Sequence, residues 1–96
     1  GFAERAGRVA SGDFSTERAV KSQRAFLVIV STDASENTKK MFRDMCSFYQ
    51  VPMYLYATKE TLGHAIGKQH RASLAVVEEG FANSLIEKLK LADKTE

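Results

Sequence analysis

Two continuous apolar runs stand out from an otherwise mixed chain. Phe26-Leu27-Val28-Ile29-Val30 is unbroken by any polar residue, and Leu74-Ala75-Val76-Val77 repeats the pattern near the end. Short, branched, fully apolar runs suit strands covered on both faces. Between and around them the period changes from two to about 3.6. The spacing predicts helices from Asp13 or Ser15 to about Gln23, from about Ser35 to Tyr49, from Lys59 to Ile66 and from Gly80 to about Leu91. Val9-Ala10-Ser11 and Met53 to Tyr56 read as two further short strands. Phe14, Ala19 and Val20 are the apolar candidates of the first of these helices. Met41, Met45, Phe48 and Tyr49 form the expected buried stripe of the second, with Cys46 beside it. Phe81, Leu85, Ile86 and Leu89 line the last. Strands and helices alternate along the chain. This predicts an α/β fold: a three-layer α/β/α sandwich around a small mixed sheet of about four strands.

At 96 residues the chain is long enough for one core and too short for two. The expectation is therefore one domain over 1–96. Gly1 to Arg8 reads as the end of a helix stopped by Gly7. It starts abruptly in helical composition, so a few native residues are expected upstream of Gly1. Hydrophobic residues make up 44% and charged residues 27%, which argues against disorder. No apolar run approaches the roughly 20 residues of a membrane span. The single Cys46 has no internal partner, and the expected location is cytoplasmic.

Net charge is only +2, so its distribution carries more information than its sum. Basic residues gather at Arg5, Arg8, Arg18, Lys21 and Arg24, at Lys39, Lys40 and Arg43, and at Lys68 and Arg71. Acidic residues thicken toward the end. That pattern is compatible with one basic side.

Three segments can carry chemistry. The turn Gly12-Asp13 opens a helix through Phe14, Ser15 and Arg18. Its free backbone N–H groups suit phosphate or base edges, and Arg18 can add bidentate contacts. The same residues also read as an ordinary capped helix with a solvated arginine. Asp33-Ala34-Ser35 either meets a ligand or caps the following helix. Lys68-Gln69-His70-Arg71 is either a second contact surface or a solvated loop. His64 and His70 have no cysteine or carboxylate at ligand spacing, so no metal is expected. No phosphate-loop or dinucleotide fingerprint is present, no cofactor is expected, and no paired acid and base suggests an enzyme.

The order of several strings is more specific. Arg5-Ala6-Gly7-Arg8-Val9-Ala10-Ser11-Gly12 is followed by Arg18-Ala19-Val20-Lys21-Ser22 and by Asp33-Ala34-Ser35-Glu36-Asn37-Thr38-Lys39-Lys40. Val51-Pro52 and Leu62-Gly63-His64-Ala65-Ile66-Gly67-Lys68 complete the series. Together they resemble the L7Ae/L30e family of RNA-binding ribosomal proteins over essentially the whole chain, and most closely its bacterial YlxQ-like branch. The resemblance implies an α/β/α sandwich that binds kink-turn RNA, a sharply bent helix with tandem sheared G·A pairs, in ribosomal RNA or a riboswitch. It implies contacts from Gly12, Asp13, Phe14, Ser15 and Arg18, from Asp33 and Ser35, and from Lys68, Gln69 and Arg71. Archaeal members carry an Asn-Glu pair and a following Lys, which fall on Phe14, Ser15 and Arg18. Only the cation is kept. The third loop is charged here where archaeal members are aliphatic, so phosphate contacts are expected of it. A protein-interaction adaptor is the alternative. An exposed apolar patch around Phe14 or Phe42 would favour it.

Overall fold

The computed structural model, which describes residues 8–94, places the two apolar runs side by side at the centre of one sheet. The elements are β1 (Val9–Ser11), α1 (Asp13–Lys21), β2 (Leu27–Val30), α2 (Glu36–Tyr49), β3 (Met53–Leu55), α3 (Lys59–Ala65), β4 (Ser73–Val76) and α4 (Glu79–Lys94). The strand order is β1-β4-β2-β3. β4 runs antiparallel to both β1 and β2, and β2 runs parallel to β3. All four residues of β2 and of β4 are buried, as expected for strands with a layer on each face.

The pleat divides the side chains between two cores. Leu27, Ile29, Leu74 and Val76 point to one face and meet Leu62 and Ile66 of the α3 segment and Ala82 and Leu89 of α4. Val28, Val30 and Ala75 point to the other and meet Ala19 and Val20 of α1 and Phe42 and Cys46 of α2. The predicted sandwich is therefore present, with α1 and α2 on one side and α3 and α4 on the other.

Local boundaries differ for identifiable reasons. Neither Asp13 nor Ser15 caps α1; the cap position is Gly12, at φ +89°. The helix stops at Lys21, and Gln23 adopts φ +62° just beyond it. Ser35 caps α2 by accepting a hydrogen bond from the Thr38 amide at 3.1 Å. The expected helix end at Gly1 to Gly7 lies outside the described residues. Phe14 is not on the inner face of α1; that face is Thr16, Ala19 and Val20.

The stripe on α2 is also rotated from the one the spacing suggests. Met41 and Phe48 are exposed, whereas Phe42 and Cys46 are buried, with Met45 and Tyr49 packed against them. Both sets satisfy helical periodicity, because apolar residues flank the stripe on either side. The contact with the sheet selects between them. Burial pushes the Cys46 thiol up to about 11, so it behaves as a small core hydrophobe, as expected. Replacing Phe42 with Ala should cost about 3–5 kcal/mol of stability. Replacing Phe48 with Ala should change it by less than about 0.5 kcal/mol. Urea denaturation of the two variants checks the assignment of the inner face.

Candidate nucleic-acid interface

The backbone of β4 holds the tip of α1 in place. The Gly12 amide donates to the Ser73 carbonyl at 2.9 Å, continuing the β1–β4 ladder beyond its last pair. The buried Ser73 hydroxyl donates to Asp13 Oδ1 at 2.6 Å and lies 3.3 Å from Thr16 Oγ1. Asp13 is thus an anchor of the helix start. Gly12 owes its identity to its backbone, since L side chains disfavour φ near +89°. Space is not the reason. A Cβ there would meet Arg71 Cδ at an ordinary 3.9 Å.

The loop after α3 is folded back onto its own helix. The Lys68 amide donates to the Gly63 carbonyl at 2.8 Å, and the Arg71 amide to the Lys59 carbonyl at 3.0 Å. A Cβ on Gly63 would stand 1.4 Å from the Gln69 carbonyl oxygen, so only glycine permits this approach. The glycine of the Leu62-Gly63-His64 string is therefore a packing residue. Arg71 is half-buried, and its side chain is oriented at two points. Nε donates to Ser11 Oγ at 3.3 Å and Nη1 to the His70 carbonyl at 2.8 Å. A guanidinium carries five N–H donors, so several stay available to a ligand.

Asp33 completes the strip. Its Oδ1 accepts the Lys59 amide at 2.9 Å and so caps the tip of α3 across the sheet end. Lost hydration is the largest influence on this carboxyl and pushes it up. The neighbouring Ser31 hydroxyl, the Lys59 amide and the Lys59 charge together outweigh it, so the pKa lies below the ordinary carboxylate value. The Ser31 hydroxyl is buried beside it and has no hydrogen-bond partner of standard geometry among the described residues.

An open cleft of about 490 Å³ results, lined by Gly12, Asp13, Phe14, Ser15, Lys59 and Arg71 among others. Lys68 and Gln69 face a neighbouring cleft beside His64, which shares Arg71 with the first. Arg18 lines a third, on α1, which shares Phe14. Ser35 lines none of the three; its hydroxyl is engaged in capping α2. Lys59 was not among the residues expected from sequence. A signal for it existed, because a cation at the first position of a helix opposes the helix dipole.

A separate cavity of about 420 Å³ lies between α4, α3 and the sheet. Lys88 is the one charged side chain among its described lining residues, so no acid–base pair converges there. No described helix is long and apolar enough to cross a membrane.

Introducing Ala at Gly63 should cost about 1–3 kcal/mol or more, because the obstacle is backbone. Hydrogen exchange at the Lys68 and Arg71 amides should accelerate beyond the global change. For Asp33, a folded-state pKa below the unfolded one contributes stability above the ordinary carboxylate range, lost as pH falls through the folded value. The stability gap between wild type and Asp33→Asn should therefore be wider at about pH 7 than at about pH 3. Urea denaturation at both values measures it.

Comparison with known proteins agrees with the architecture and the motif order. A solved structure from Bacillus halodurans C, described as a protein with unknown function, matches with a TM-score of 0.89 at 36% identity. The match covers 94% of this chain and 91% of that one. The RNA-binding protein YlxQ of Bacillus subtilis (strain 168) is 42% identical over 86 residues, covering 90% of this chain and 86% of its own. The RNA-binding protein YlxQ of Enterococcus faecium is 37% identical over 82 residues, covering 85% and 79% respectively. Residues 1–86 match the model of a ribosomal protein family, and the chain belongs to that family, L7Ae/L30e/S12e/Gadd45.

Proposed function

We propose that this chain binds structured RNA, and that the preferred form is sharply bent, of the kink-turn type, in ribosomal RNA or a riboswitch. The observation that carries the reading is the hydrogen-bonded strip from Ser11 and Gly12 through Arg71 and Lys59 to Asp33. It sets a glycine-led helix tip in one cleft with the oriented Arg71 guanidinium and with Lys59. Relatives at 42% and 37% identity are named RNA-binding proteins, which supports the ligand class.

The geometry favours shape over sequence. The major groove of regular RNA is too deep and narrow for side chains to read. A kinked helix opens a groove wide enough for the tip of α1. Lys59 and Arg71 then meet phosphates, with Lys68 and Gln69 extending the contact along the adjoining cleft. The chain acts by binding alone, in the cytoplasm. The one carboxylate among the described residues lining the cleft, on Asp13, is already committed to Ser73.

The adaptor alternative gains nothing from Phe42, which is wholly buried in the core beneath α2. Phe14 is exposed, but it stands among polar and cationic neighbours rather than in an apolar patch.

Fluorescence anisotropy against a kink-turn and a straight duplex should show tighter binding to the kink-turn. Equal affinity for the two would remove the shape-reading claim. Arg71→Ala and Lys59→Ala should each weaken binding across sequences and reduce the salt slope by about 1.

A further inference from the structure

Phe14 has no packing role. It is 73% exposed, although Thr16, Ala19 and Val20 on the same helix are completely buried. A solitary exposed apolar side chain is common and means little by itself. The surroundings of Phe14 give it meaning. Its ring forms the shared wall of two open clefts. One holds Gly12, Lys59 and Arg71; the other holds Arg18 and Lys21. The Arg18 guanidinium sits over the ring, 5.8 Å from its centroid, and lines only the second cleft. With Phe14 73% exposed, most of the ring is open to a ligand.

The first cleft contains no other large aliphatic or phenyl side chain among its described lining residues, so it offers a poor seat for an apolar protein segment. It combines the Phe14 ring and the smaller His70 imidazole with the cations Lys59 and Arg71, beside the Asp13 carboxylate that Ser73 engages. That pairing matches a nucleotide, whose base has a π face and whose phosphate carries charge. The Arg18 guanidinium lies within cation–π range of the same ring, 5.8 Å from its centroid.

We propose that Phe14 is the stacking platform for one unstacked nucleobase of the bound RNA, with Arg18 as the positioning residue behind the ring. This rests on the RNA-binding reading given above and adds how a base is read. Stacking engages the face common to all bases, so recognition at this point tolerates changes of base identity. It requires instead that the RNA present a base outside its helix.

The test uses a kink-turn RNA with 2-aminopurine at each unpaired position in turn. Binding of the wild-type protein should quench the probe at one of these positions. Phe14→Tyr and Phe14→Trp should keep both the quench and the affinity. Phe14→Leu and Phe14→Ala should lose the quench and bind about five- to hundredfold more weakly. Because the side chain is exposed, all four variants should melt close to wild type. If Phe14→Leu quenches and binds as wild type does, stacking is overturned while shape-selective RNA binding stands. If wild-type protein fails to prefer the kink-turn over a straight duplex, both readings fall together.

Discussion

The candidate interface depends on one close backbone approach, that of the Gln69 carbonyl to Gly63. No side chain fits between them. Because position 63 is glycine, the loop can lie flat on α3 and donate the Lys68 amide back to the helix. That brings the Arg71 amide onto the Lys59 carbonyl and the Arg71 side chain beneath Gly12. The cation at the mouth is therefore positioned by a packing contact on the far side of the loop. Thr58 starts α3 by accepting the Thr61 amide, and Asp33 takes up a further free N–H at the same tip. The helix is short, yet its start is held from two elements and its end from the returning loop.

The sheet supplies the rigid part of the arrangement. β4 is the shared partner of β1 and β2, and its first residue reaches both sides of the α1 turn. Ser73 uses its carbonyl for Gly12 and its hydroxyl for Asp13. A wholly buried hydroxyl is costly unless paired, and this pairing turns the cost into a positional constraint on the helix tip. Groups of the candidate interface set on a loop thereby gain the precision of a strand end.

The alternation of strands and helices, the two central strands and the sandwich were all legible in the sequence. Continuous branched runs are hard to place other than in covered strands. Ser35 was legible as a cap by residue type, and Cys46 as a neighbour of the buried stripe on α2. Rotation about the α2 axis was not legible. Met41 and Phe42 are adjacent and similar in hydrophobicity, so periodicity alone leaves a rotation of about 100° per residue undecided. Lys59 was missed because a lone lysine after a capping threonine looks like a solvated surface charge. Its place in the cleft comes from Asp33 and Arg71, both distant in sequence.

Local rules acting within one strand or one helical turn therefore determined the elements, their order, the layer count and the glycine-led turn. The family strings pointed to the same three connections. Only the tertiary structure decided which connections share a cleft, which face of α2 meets the sheet, and that Lys59 and Arg71 stand together beside the tip of α1. Those outcomes depend on hydrogen bonds and contacts between residues up to 60 positions apart. Hydrophobic periodicity does not encode such pairings. They arise when the sheet register brings strand ends together and the available polar groups find partners there.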